Sequence, residues 1–193
     1  VRIIGAIGPR GDGYVAGERA DPDEAADYHS AQVDAMARAG ADVVAAYTLT
    51  GPVEGMGIVR AARSAGVPVL VGFTVETDGR LPDGTALREA VERVDASDAP
   101  DGFVVNCAHP THIAPGLAAG DWRDRIVQVN PNAATLTHAE LDAAEELDEG
   151  DLGLLTSSYD DLRPLLPGLR VVGGCCGTDA RHVAALWGVP HPG

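Results

Sequence analysis

Six short apolar runs, each followed by a stretch with helical signals, divide nearly the whole chain. They cover residues 2–7, 42–47, 67–73, 102–107, 125–129 and 169–172. The run at 42–47 is apolar on both faces, and 67–73 is apolar throughout. A strand of that kind is covered on both sides, as in a parallel sheet wrapped by helices. Strand and helix in regular alternation predict an α/β fold with parallel strands. In such a fold the C-terminal ends of the strands open on one face, where functional groups collect. The chain has 193 residues, enough for one domain with a sizeable core, and 1–193 shows no linker, repeat or second domain.

The helices carry recognisable start and stop signals. Asp21 caps the first, Pro22 takes its first position, and Glu24 completes a capping box. Ala25, Tyr28, Val33, Met36 and Ala37 recur at helical spacing and predict its core face, and Gly40 ends it. Further helices are expected over 53–64, 85–94 and 158–166. Another follows the capping box Thr137 to Glu140, and a last one starts at Asp179, with Thr178 as its cap. The acidic run 145–151 reads as a solvated loop, and Glu76 and Asp78 as solvated loop acids. The glycine-rich segment 8–17 lacks the Lys-Ser/Thr of a P-loop and the spacing of a dinucleotide fingerprint, so it reads as an active-site loop.

The cysteines point to chemistry. There are three, and each stands at the end of a predicted strand: Cys107 after Asn106, and Cys175 and Cys176 after Gly173-Gly174. In a parallel sheet these ends share one face, so the sulfurs can converge. Three thiolates with no fourth protein ligand form an open, catalytic type of zinc site. His109, two residues beyond Cys107, is an alternative fourth ligand, or else it shapes the loop before Pro110. The competing reading makes the cysteines small core residues. It leaves Gly173-Gly174 unexplained, whereas glycines let backbone and metal approach closely. Without metal, the expectation is either disordered thiols or oxidation of Cys107 onto one of the pair. Unpaired thiols also fit a cytoplasmic setting.

Charge and composition exclude other classes. The formal net charge is −15, which repels nucleic acid phosphates. No apolar run is long enough to span a bilayer, so no membrane partner is expected. All basic residues are arginine, so Schiff-base or lysine-base catalysis is ruled out.

Gly173-Gly-Cys-Cys-Gly177 together with Asn106-Cys107-Ala-His-Pro110 resembles the homocysteine S-methyltransferase family. Gly5-Ala-Ile-Gly-Pro9, the segment 79–85 and Asn130-Pro-Asn132 also have counterparts there. The resemblance implies a zinc-dependent (β/α)8 TIM barrel, with Cys107, Cys175 and Cys176 as the metal ligands. It implies methyl transfer from a cationic donor (S-methylmethionine, S-adenosylmethionine or betaine) to the zinc-bound thiolate of homocysteine, giving methionine. The partners are then a small-molecule thiol and a methyl donor. Asn106, Asn130 and Asn132 stand at strand ends, where they can orient substrate or hold turns. Relatives commonly carry a glutamate where this chain has Ala46, before Tyr47-Thr48; Glu54 is the candidate to replace it, or it opens the following helix. Tyr47, Trp122 and Trp187 are candidates for a cage around a cationic donor.

Six strand–helix units fall short of eight, and the chain begins on Val1 within a strand. The expectation is an incomplete barrel lacking the first two units, with open edges that favour a homo-oligomer. An inactive, zinc-binding fragment or pseudoenzyme is the alternative. A zinc hydrolase is a poorer one, because three thiolates make zinc a weak activator of water and no His-Glu pair is suitably spaced.

Overall fold

The computed structural model describes residues 1–17 and 21–190. One sheet contains six strands in sequential order: β1 (Ile4–Ile7), β2 (Val43–Leu49), β3 (Val69–Phe73), β4 (Gly102–Asn106), β5 (Ile126–Asn130) and β6 (Val171–Val172). Every neighbouring pair is parallel. The helices are α1 (Pro22–Arg38), α2 (Pro52–Ala65), α3 (Leu87–Ser97), α4 (Pro110–Gly116), α5 (His138–Ala143), α6 (Leu152–Leu162) and α7 (Ala180–Leu186). The sheet curls as an incomplete (β/α)8 barrel, as the alternation of strands and helices predicts.

Strand alternation sorts the side chains onto two faces. Val44, Ala46, Val69, Val71, Phe73, Phe103, Val105 and Val129 face outward and form the main core with Ile58, Val59, Ala62, Leu87, Val91 and Val94 of the helices. The alternate positions face the barrel interior. There Tyr47, Gly72, Val104 and Gln128 form one layer, with Asn106 and Asn130 above it toward the C-terminal ends. At the two sheet edges Ile4 and Val171 are each 42% exposed.

Several local expectations need correction. Tyr28 is 52% exposed, with the Arg10 guanidinium 5.2 Å above its ring. His29 takes the buried position instead, because the inward stripe of α1 runs through Ala25, His29 and Val33. The Asp21 side chain caps α1, accepting from the backbone N–H groups of Asp23 and Glu24. Glu24 does not close a capping box; its carboxylate accepts from Arg10 Nη1 at 2.6 Å. At α7 the cap is Asp179, in a reciprocal box with His182, whereas the Thr178 hydroxyl donates to the Cys175 carbonyl. Helix α6 starts at Leu152, well before residue 158, because the Asp151 side chain caps it through Leu154 N. The acidic run is exposed, but Glu149 pairs with Arg181, and its carbonyl lies 3.0 Å from His182 Nε2.

Candidate metal centre

Each cysteine is delivered by a strand end. Asn106 closes β4, and Cys107 follows with φ +54°, a left-handed conformation rare for a residue with a Cβ. On β6, Gly173 continues the strand, and a Cβ there would lie 2.7 Å from Asn130 Oδ1. Glycine here leaves room for the Asn130 side chain, which a Cβ would displace. The three Sγ atoms of Cys107, Cys175 and Cys176 all lie within 4.8 Å of one another. Cys107 and Cys175 are joined as a disulfide, with their Cα atoms 5.4 Å apart, and Cys176 is free. Cys107 is buried, whereas the vicinal pair is partly open.

The turn after β5 ties both arms together. Asn130 O accepts from Cys107 N at 3.1 Å, and Pro131 O accepts from Cys175 N at 2.9 Å. Asn132 Oδ1 accepts from Cys176 N at 3.1 Å, and Ala133 N donates to Cys176 O at 2.9 Å. The buried Asn132 amide thus holds the cysteine loop. Asn106 Oδ1 accepts from Thr48 N at 3.0 Å, and its Nδ2 donates to Thr48 Oγ1 at 2.7 Å. That pair fixes Thr48, itself at φ +61°, with its hydroxyl 3.6 Å from Cys107 Sγ. Asn130, which pairs with Asn106 in register, also has its side chain in the interior, where its Oδ1 accepts from Gln128 Nε2 at 3.0 Å. Gln128 Nε2 also reaches Tyr47 OH at 3.3 Å, while Gln128 Oε1 is buried without a partner.

Other candidates lie elsewhere. The Glu54 carboxylate accepts from Arg10 N at 2.6 Å and lies 2.8 Å from His29 Nε2. It lines a cleft of about 780 Å³ whose lining includes none of the three cysteines or three asparagines. His109 is not part of the sulfur cluster. It caps α4, its Nδ1 accepting from Thr111 N, and burial pulls its pKa down to about 4. Trp122 is buried and donates to Ala118 O; Trp187 is exposed at the C-cap of α7 and donates to Val172 O. Only Tyr47 of the three cage candidates faces the interior.

Sequence reasoning missed Tyr14, Thr48, Thr74, Gln128 and His138. Tyr14 comes from the glycine-rich loop and places its hydroxyl 3.5 Å from Cys176 Sγ. Burial first, then the Cys176 sulfur, pushes its phenol above the ordinary range. Tyr14 stacks on His138, ring centroids 4.3 Å apart. His138 sits in the capping box of α5 and was legible only as part of that cap. Glu76, read as a solvated acid, lies 2.9 Å from His138 Nδ1.

The family model for homocysteine S-methyltransferase matches residues 1–188. The chain belongs to the homocysteine S-methyltransferase family. It is 22% identical over 176 residues to homocysteine S-methyltransferase 1 of Arabidopsis thaliana, and 20% identical to its counterpart in Brassica oleracea var. italica. Each match covers 88% of this chain and 52% of the relative, so the chain spans about half the length of these relatives. Among solved structures, the metallated form of the Escherichia coli homocysteine methyltransferase MmuM superimposes with a TM-score of 0.72 at 22% identity. That match covers 96% of this chain and 60% of MmuM. The apo form gives 0.70, covering 97% and 63%, and the oxidized form 0.69, covering 92% and 56%, both at 22% identity. The likeness extends to the fold. Three soft sulfur donors converging on one patch at the barrel's C-terminal face suit a zinc ion, so the residues fit the metal of the family.

Proposed function

We propose that this chain carries the zinc site of a methyltransferase that moves a methyl group from a cationic donor to the thiol of homocysteine. The observation that carries the reading is the convergence of every sulfur of its cysteines within 4.8 Å. Cys107, Cys175 and Cys176 are the proposed ligands, with the fourth position left to substrate. A free thiol has a pKa of ~8.5; zinc, when bound, deprotonates a coordinating thiol and so supplies a thiolate at neutral pH.

The chain's own residues supply position. Asn106 locks Thr48 beside Cys107, and Asn132 locks the loop of the vicinal pair. Asn130, Gln128 and Tyr47 line the interior beneath the cysteines and are proposed to orient the amino-acid part of the acceptor. In the transfer, the acceptor sulfur forms the new S–CH₃ bond as the bond from methyl to the donor's sulfonium or ammonium breaks. The donor keeps that electron pair and leaves neutral, so no general acid is required, and alignment of the two reactants provides much of the rate.

Two sulfurs joined as a disulfide are not available as thiolates, so the test begins with reduced, full-length protein. Its zinc content and its methyl transfer to homocysteine are measured beside Cys107→Ala and Cys176→Ala. Both variants are expected to lose stoichiometric zinc and activity. Full zinc retention by both would sink the reading.

A further inference from the structure

We propose that His138 is the positioning residue of the cysteine site, the group that sets where the Cys107 sulfur points. This rests on reading the three cysteines as metal ligands. Cys107 has a φ of +54°, which takes it out of the regular alternation of β4. Once a residue leaves strand geometry, the direction of its side chain depends on how its own dihedrals are held. A left-handed conformation is unfavourable for a residue with a Cβ, so surrounding contacts must hold it. Two side chains from different elements do so through the Cys107 carbonyl. His138 Nε2 lies 2.9 Å from that oxygen, and Thr74 Oγ1 donates to it at 3.2 Å. The same Nε2 is 3.1 Å from the Thr74 hydroxyl, which closes a triangle around the carbonyl.

His138 is itself fixed on every side. It is 5% exposed, its Nδ1 faces Glu76 Oε1 at 2.9 Å, and one ring face carries Tyr14. Through Tyr14, whose hydroxyl stands 3.5 Å from Cys176 Sγ, the same ring also supports the other arm of the site. A single imidazole therefore joins Cys107 and Cys176 without contacting either sulfur. The role needs both a flat face and two polar edge atoms. Phenylalanine would keep the stack and lose the clamp. Glutamine would keep a donor for the carbonyl and lose the stack.

That difference defines the experiment. Reduced, metal-free, full-length protein is titrated with zinc against a chromophoric chelator and with cobalt(II), whose thiolate charge-transfer bands report how many sulfurs bind. For His138→Phe, zinc affinity is expected to fall roughly 10–100-fold, the usual cost of removing a group that orients a metal ligand, and the cobalt bands are expected to weaken. His138→Gln should recover most of both. Thr74→Val, which removes the second donor to the same carbonyl at nearly constant volume, should show a smaller loss of affinity. Thermal melting of each metal-free variant separates a local effect from loss of the fold. A folded His138→Phe protein with wild-type affinity and spectrum would overturn the proposal. If that variant does not fold, unchanged affinity in Thr74→Val overturns it instead. A wild-type protein that binds neither ion would overturn the metal reading, and the clamp with it.

Discussion

The two arms of the cysteine site reach the same place by opposite means. Cys107 follows β4, a five-residue strand that is buried along its length and paired on both sides. Cys175 and Cys176 follow β6, a two-residue strand paired only with β5. The strong strand nevertheless ends in a left-handed residue held by side chains from two other elements. The weak strand ends in glycines and a loop held by the peptide groups of Pro131 and Ala133 and by the Asn132 side-chain amide. Strand stability therefore does not set the geometry of the site. Each arm is aligned by what meets it beyond the strand, and the longer strand depends more heavily on side chains to do it.

This contrast can be tested from its largest effect downward. Phe103→Ala, at a fully buried position of β4, should destabilise the protein by about 3–5 kcal/mol. Val171→Ser, at the exposed edge of β6, should stay within about 0.5 kcal/mol. Denaturant unfolding of both variants checks the pair, and equal losses would erase the distinction between the arms. On the β6 side the weight should fall on the loop. Gly177 has φ +76°, and a Cβ there would run into the Asp148 carbonyl. Gly177→Ala is expected to cost at least about 1–2 kcal/mol, well above Val171→Ser six residues earlier, by the same measurement.

A smaller effect should separate the arms by pH. His109, just past Cys107, has its pKa lowered by burial from 6.5 to about 4. The unfolded chain therefore takes up a proton at this residue before the folded chain does. The stability tied to neutral His109 is complete above pH 6.5 and is lost as pH falls toward about 4. Melting temperature measured across that window should drop less steeply in His109→Gln, which cannot titrate. An unchanged slope would remove His109 from the account.

Much of this architecture is legible in the sequence. The apolar runs carry the sheet, because strands covered on both faces need no alternation to be recognised. Every cysteine stands where a strand end is expected, and the sulfurs do meet. The supporting groups were harder to see. His138 lies inside a capping box, a local pattern that accounts for Thr137 and Glu140 and says nothing of the two residues between them. Gln128 looks like one polar residue in an apolar strand, and its partner Tyr47 lies 81 positions away. Tyr28 shows the converse error: helical spacing pointed to it, but His29 satisfied the same stripe and found a partner in Glu54. Residues that act through contacts 60 or more positions away leave no periodic trace, as Tyr14 with Cys176 illustrates.

The turn through residues 130–133 has a consequence for how the site tolerates change. Three of its four links to the cysteines run through main-chain atoms: Asn130 O, Pro131 O and Ala133 N. Peptide groups are the same whatever side chain they carry. Residue identity in that turn is therefore weakly constrained by these contacts, except at Asn132, whose amide is the fourth link. Its length is a different matter. One residue inserted or deleted there would slide every link by a register step and separate the two arms. Such a turn admits many spellings and only one count. Substitution libraries across it should yield many folded variants, whereas single-residue insertions should yield almost none with the sulfurs still together.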